Sequence, residues 1–530
     1  MSGLFLVLVV LVILTCILLN NISSRIGLPT LLTFIVLGML MGYTGLFPMR
    51  LANQEFTKDV CSIALVFIMF YGGFGTRMEA VRPVMRESIL LASAGVVLTA
   101  GLTGLFCHYA FRWDWVPSFL LGSVVSSTDA ASVFSILRAK KLGLKNNTAP
   151  MLEVESGSND PSAYMLTAMC ISLMHGDASA GEILWILTTQ IVLGLGLGWG
   201  IAKLAIMALN RMRFATPGFD MLFIFAIALA SYAIPDLLGG NGYLSAYVVG
   251  ILLGNEDFSG KKGIVGFFDG VTGMMQIMIF FLLGLLVKPA QLHHAILPAL
   301  VIFVFMLLVS RPLSVAAVLT PFRKYPLRQQ ALISFVGLRG ASSIVFAIMA
   351  ITEVSSISFD LFNIVFCLVL LSISVQGTLI PWVAQKTDML DKNADIMKTF
   401  NDYSEEGNIQ FGEILVSPGD NWDGKEIREL GLPGNMLIVL VERNEEHVRP
   451  YEDTKLLPGD RVVTLTHSLH GSQVSLYEKR IKPGSRRIGQ PLKAHPGNGL
   501  VVMIRRGKEN IIPHGDFILQ EGDYLVILNL

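Results

Sequence analysis

The chain has 530 residues, 53% hydrophobic and 15% charged, with 40 basic and 40 acidic side chains and no net charge; its mean hydropathy is +0.60. Soluble globular chains carry about 25% charge, so the composition argues against one large water-soluble enzyme, and the lack of a basic excess argues against a nucleic-acid binder. The charges divide unevenly, with 22 bases and 18 acids in residues 1–385 against 18 and 22 in the last 145 residues.

The opening MSGLFLVLVVLVILTCILLN lacks a basic n-region and a small-residue cleavage site, so it reads as a retained first span and not a signal peptide. A membrane helix needs about 20 mainly apolar residues. On that measure the chain to Gln385 divides into thirteen candidate spans, at 3–20, 28–47, 60–76, 87–111, 116–138, 148–175, 181–209, 218–235, 241–254, 264–287, 293–320, 328–352 and 358–384. Loops on one side carry fifteen Lys and Arg, among them Arg77, Lys145 and Arg323, and those on the other carry four, Arg50, Lys58, Arg112 and Lys288. That bias places the N-terminus outside and the charged tail in the cytoplasm. The five cysteines lie in apolar runs with no CxxC pair and read as small buried hydrophobes.

Four ionisable residues fall near mid-span, where each is a functional candidate. They are Asp129 in SVVSSTDAASVF, Glu155 and Asp160 in APMLEVESGSNDPSAYML, and Arg339 in SFVGLRGASSIVF. Hydroxyls and small residues around Asp129 suit an interrupted helix whose freed oxygens line a polar cavity, the coordination a hard monovalent cation prefers. In the next span Ser156, Asn159 and Asp160 share a helical face, with Glu155 beside them and Pro161 weakening the preceding turn. A carboxylate so placed can hold a cation or a proton, one displacing the other, which is the chemistry of an exchanger. Arg339, in a glycine- and serine-rich segment, expects its counter-charge from the carboxylates of the fifth and sixth spans. Arg311, before Pro312, reads as structural. Two interrupted spans in corresponding halves point to an inverted-repeat transporter with crossing broken helices.

SSTDAAS, ESGSNDP and GLRGASS in this order, over about thirteen spans, resemble the NhaP-type sodium or potassium/proton antiporters of the monovalent cation:proton antiporter family. The resemblance implies a polytopic α-helical fold with a mobile core and a dimerisation domain, working as a homodimer in the cytoplasmic (inner) membrane. Asp160 would alternate between proton and cation. Thr128, Ser156 and Glu155 would add oxygens, and Asn159 would be the position paired with Asp160. Asp129 would orient the broken helix and Arg339 would stabilise the core at the second break. With Asn159 in place of a second carboxylate, the simpler expectation is electroneutral one-for-one exchange.

After Asp391 the pattern becomes short alternating strands, repeated at an offset of 63, so that Gly459-Asp460 aligns with Gly522-Asp523 and Arg443 with Arg506. The first copy resembles the TrkA-C domain, the C-terminal half of potassium-conductance regulators, and the second is similar in plan but weaker. The expected organisation is a transmembrane exchanger domain at 1–385, a linker at 386–400, an α/β TrkA-C domain at 401–482 and a second β-rich repeat or transporter-associated module at 483–530. Such domains dimerise and bind a nucleotide or another small regulator. No GxGxxG follows a strand in the tail, and His467 and His470 lack cysteine partners, so no cofactor or resident metal is expected.

The leading expectation is a secondary antiporter extruding K+ against external H+, the ion preference resting on the TrkA-C resemblance, with Na+ or Li+ exchange as the alternative. A ligand-gated potassium channel is disfavoured because no TVGYG-like filter occurs. An intramembrane enzyme is disfavoured because HExxH and GxSxG are missing.

Overall fold

A computed structural model describes residues 3–26, 30–44, 53–139, 142–176, 179–211, 216, 218–256, 258, 261–354, 356–391, 409–432, 436–443, 446–448, 450–467, 475–481, 488–492, 500–506, 509–511 and 517–529. It divides into two compact units, residues 1–402 and 403–530.

The first unit is helical. It opens with α1 (Gly3–Ile26), α2 (Thr30–Thr44) and α3 (Gln54–Gly75). The side chain of Asn53 starts α3 by accepting from the Glu55 amide. An interrupted helix, α4 (Met78–Phe111), follows. Next come α5 (Trp115–Val124), α6 (Ala130–Ala139), the two-residue strand β1 (Gly143–Leu144) and α7 (Thr148–Met174). Then come α8 (Ala180–Arg211), α9 (Phe219–Leu237), α10 (Gly242–Gly254) and α11 (Lys261–Leu286). A second interrupted helix, α12 (Pro289–Phe322), leads to α13 (Leu327–Phe335), α14 (Ala341–Glu353) and α15 (Leu361–Lys386). Seven helices among the described residues are long and apolar enough to cross a membrane, and shorter apolar helices stand beside them.

With no water to expel between helices in lipid, close backbone approach holds such a bundle together. The crossing of α3 and α10 shows it. A methyl group at Gly250 or Gly254, a GxxxG pair, would sit 2.1 Å from the carbonyl oxygen of Phe70 or Phe74, so any side chain there would force the two helices apart.

The fifth and twelfth expected spans are each split. Regular helix is lost at 125–129, between α5 and α6, and at 336–340, between α13 and α14. By contrast α7 runs unbroken for 27 residues despite Pro161.

Part of the expected linker is ordered. Strand β2 (Leu390–Asp391) pairs antiparallel with β1, Gly143 facing Asp391 and Leu144 facing Leu390. The Lys145 amide donates to Met389 O at 2.9 Å, and Lys145 Nζ lies 3.0 Å from Asp388 Oδ1. Leu144 and Met389 are buried in one apolar cluster with Val133 and Leu137 of α6, Met151 of α7 and Ile380 of α15.

The second unit holds two four-stranded antiparallel sheets with the same strand order. The first comprises β3 (Ile409–Leu415), β4 (Met436–Arg443), β5 (Glu446–Val448) and β6 (Arg461–His467), in the order β3-β6-β4-β5. The second comprises β7 (Ser475–Arg480), β8 (Leu500–Arg506), β9 (Glu509–Ile511) and β10 (Tyr524–Asn529), in the order β7-β10-β8-β9. Helical structure among the described residues of this unit is the 3-10 turn Ile427–Glu429 together with Leu492, also 3-10. Residues 475–480, assigned from sequence to the first domain, pair with β10 and belong to the second sheet.

The repeat is reproduced atom for atom. Arg443 Nε and Nη2 clamp both carboxylate oxygens of Asp460 at 2.7 Å, and Nη2 also donates to Lys455 O at 2.7 Å. Arg506 does the same to Asp523 at 2.8 Å and to Ile518 O at 2.9 Å. Each aspartate also accepts an amide at 2.8 Å, from Leu457 or Gln520. The glycines before them, Gly459 and Gly522, have φ of +93° and +88°, a turn conformation open to glycine at little cost.

Candidate functional site at the crossed helix breaks

The two breaks meet. The Asp129 amide donates to Leu338 O at 2.8 Å. The Arg339 guanidinium reaches the other way, Nη1 donating to Ser126 O at 2.7 Å and Ser127 O at 2.6 Å. These carbonyls belong to the turn that ends α5, so a cation there satisfies acceptors left over by the lost helix and complements the negative end of its dipole. Charge complementarity predicts a carboxylate partner for Arg339; the structure gives it backbone. Its own amide donates to Ser372 Oγ at 2.9 Å, Ser372 donates to Gln376 Oε1 at 2.6 Å, and Gln376 Nε2 donates to Phe335 O at 2.8 Å. In this way α15 braces the second break.

Asp129 caps α6. Its Oδ1 accepts from the Ser132 amide at 3.2 Å and its Oδ2 from the Ser132 hydroxyl at 2.5 Å, satisfying a donor at the positive end of the half-helix. A methyl at Gly340 would lie 2.4 Å from Asp129 Oδ2, so glycine is what lets α14 start this close to the cap.

α7 lies against the first break and presents the expected face to it. Ser156 Oγ donates to Thr128 O at 2.6 Å. Asn159 Nδ2 donates to Thr128 Oγ1 at 2.5 Å, while Asn159 Oδ1 is buried with no hydrogen-bond partner. Asp160, 5% exposed, accepts from the Ser127 hydroxyl, which is 2.9 Å from Ser342 Oγ at the start of α14. Glu155 turns away from this cluster and pairs with Arg311 of α12, at 1% and 2% exposure. The structure therefore brings Asp160, Asn159, Ser156 and Thr128 together, places Asp129 at the edge as a cap, and gives Glu155 to a buried ion pair.

Ser127 and Ser342 join the cluster although the sequence reading did not select them. Both stood in the quoted motifs, and what hid them was which hydroxyl of a run faces inward once the helix breaks. The carbonyl of Thr128, the hydroxyls of Ser127, Ser156 and Ser342, the unpartnered Asn159 oxygen and the Asp160 carboxylate form an oxygen-rich site suited to a hard monovalent cation or a proton. Among the described residues no group of three or more His, Cys, Asp or Glu side chains could hold a resident metal.

Residues 9–386 match the family model described as sodium/hydrogen exchanger, transmembrane. The chain belongs to the sodium/hydrogen exchanger family. The exchanger is thus a multi-pass membrane transporter and not an enzyme. The TrkA-C domain model matches it twice, at residues 411–468 and 476–528. The exchanger is 36% identical over 365 residues to the K(+)/H(+) antiporter NhaP of Alkalimonas amylolytica, a match spanning 69% of this chain and 63% of that relative's length. It is 33% identical over 458 residues to the K(+)/H(+) antiporter NhaP2 of Shewanella sp. (strain MR-4), covering 85% of this chain and 79% of that one. Among solved structures, the sodium proton antiporter MjNhaP1 from Methanocaldococcus jannaschii at pH 8 superposes with a TM-score of 0.63 at 20% identity, covering 71% of this chain and 97% of that one. That likeness carries the fold of the membrane unit.

Proposed function

We propose that this exchanger extrudes cytoplasmic K+ in electroneutral exchange for external H+, with Asp160 as the carboxylate that carries proton and cation in turn. The observation that carries this reading is the difference among Asp129, Glu155 and Asp160. Glu155 is held by Arg311 and Asp129 caps α6, whereas Asp160 is held by the Ser127 hydroxyl. A hydroxyl can donate to the ionised carboxylate or accept from the protonated one, so it serves both states of the cycle. Thr128, Ser156 and Asn159 supply further oxygens, and Arg339 holds the first break by donating to carbonyls that have lost their helical partners.

Potassium is favoured by the names of the two bacterial relatives and by the TrkA-C pair; sodium is the second reading, favoured by the archaeal sodium proton antiporter of the same fold. We further propose a homodimer in the cell's inner membrane, with the N-terminus outside and the TrkA-C pair in the cytoplasm, where it senses a nucleotide or another small molecule.

The test uses proteoliposomes or everted vesicles with an imposed pH gradient, to which K+, Na+, Li+ or Rb+ is added. Cation-dependent collapse of the gradient that Asp160→Asn abolishes is expected. Potassium flux with no proton movement would replace the antiporter with a channel. Steady current driven by voltage alone would overturn electroneutrality.

A further inference from the structure

A cavity lies away from the crossed breaks. It has a volume of about 300 Å³ and is bounded by the C-terminal half of α7, with Tyr164, Thr167 and Ser172, by His175 at the C-cap of that helix, and by the end of α14, with Met349 and Glu353. These α7 residues continue the stripe that starts at Asp160, since Tyr164 stands one turn beyond it and His175 stands fifteen residues, or about 22 Å of helix, beyond it. The start of α7 adjoins the β1–β2 pair, which holds the last described residues before the tail sheets. The cavity therefore lies toward the opposite face.

Its floor is aromatic. Tyr164 packs edge-on to Tyr243 of α10, with ring centroids 5.0 Å apart, and lies 5.9 Å from Phe346 of α14. Tyr243 in turn contacts Tyr232 of α9 at 4.9 Å. Rings from four helices thus meet between the cavity and the turn carrying Asp160. The titratable groups around the cavity are His175 on α7 and Glu353 on α14, with Asp236 and Tyr232 of α9 acting electrostatically on Tyr164. His175 Nδ1 is 2.9 Å from Ile171 O, which makes Nδ1 the donor and leaves Nε2 as an acceptor for a proton.

We propose that this cavity is the half-pathway by which the Asp160 site exchanges with the side opposite the tail, with Glu353 and His175 gathering cations and protons at its mouth and the Tyr164–Tyr243–Phe346 contact as its gate. A carboxylate at the mouth of a low-dielectric funnel raises the local concentration of cations and so acts on access more than on chemistry. An imidazole beside it can take up a proton at Nε2 and give one up from Nδ1. The proposal rests on the antiport reading above and extends it to the route.

Two experiments test it on the full chain. All five native cysteines are buried, so Ser172→Cys introduces a thiol into the cavity over a quiet background. An impermeant, positively charged thiol reagent should react in right-side-out vesicles, not in everted ones, and slow exchange at least tenfold. Labelling from the tail side, or labelling with full exchange retained, would overturn the proposal. Separately, Glu353→Gln should weaken the apparent affinity for protons and cations presented on the far side three- to tenfold while leaving the tail-side affinity unchanged. His175→Gln should shift the far-side pH dependence alone. Equal effects on both sides, or none, would overturn it. Wild-type exchange that Asp160→Asn abolishes, together with a failed sidedness test, sinks the route and spares the function; no exchange in the wild type sinks both.

Discussion

The membrane crossing and the tail modules use the same two side-chain types differently. In each tail module a guanidinium clamps both oxygens of a buried aspartate and a third hydrogen bond ties it to a carbonyl, so the carboxylate is fully committed. At the crossing the guanidinium of Arg339 is spent on carbonyls, and Asp160, on the helix packed against the first break, is left to a hydroxyl. A locked aspartate gives a rigid turn. The aspartate we propose to bind and release a cargo is held by no arginine or lysine among the described residues, and the arginine nearby does its work on the backbone.

The strongest way to break this contrast is to remove Arg339. Arg339→Ala leaves the carbonyls of Ser126 and Ser127 without their donor, and burial of such groups unpaired costs about 1–3 kcal/mol each. Exchange should be lost and the melting temperature of the detergent-solubilised protein should fall. Arg339→Lys retains charge without the fork and should recover stability only in part.

Next in size is the buried pair of Glu155 and Arg311. Arg311→Met leaves a buried carboxylate and should cost about 3–5 kcal/mol, whereas the double variant Arg311→Met, Glu155→Gln should recover most of it. Thermal melts of the four proteins form the cycle, and additive losses would dissolve the pairing.

The tail locks come third. Arg443→Ala or Arg506→Ala should each cost about 1 kcal/mol, because the arginine sides are 31% exposed and the pairs are screened. Hydrogen exchange should report the loss only in the sheet that carries the substitution. The hydrogen bonds from Arg443 and Arg506 hold Asp460 and Asp523 below the ordinary aspartate value of 3.8. The locks therefore contribute fully above that value, and their contribution fades as pH falls through the lowered one.

The positions of both breaks were legible, because serine, threonine, glycine and a charge within an apolar span leave few alternatives to interrupted helix. So was the shared face of Ser156, Asn159 and Asp160, since i, i+3 and i+4 spacing on a helix dictates it. The partner of Arg339 was not legible. Charge complementarity points to a carboxylate, but the crossing brings two unwound segments so close that stranded carbonyls are nearer. Glu155 meets an arginine 156 residues along the chain, and no local pattern announces such a meeting. The linker assignment of 386–400 missed β2 for a simpler reason: two residues are too few to show a period.

The smallest effect concerns that strand. Lys145→Ala removes an exposed bridge and should speed hydrogen exchange at residues 143–145 with little change in melting. The Lys145 hydrogen bond holds Asp388 below its ordinary value, so acidification of the wild type through that lowered range should reproduce the substitution.

In mechanical terms the same strand is a drawbar. The chain that leaves α15 doubles back through Met389 and fastens by two facing residue pairs to the turn between α6 and α7 before it continues. A pull on the chain beyond Asp391 is therefore delivered first to that turn, and the two helices it joins are the one capped by Asp129 and the one that carries Asp160.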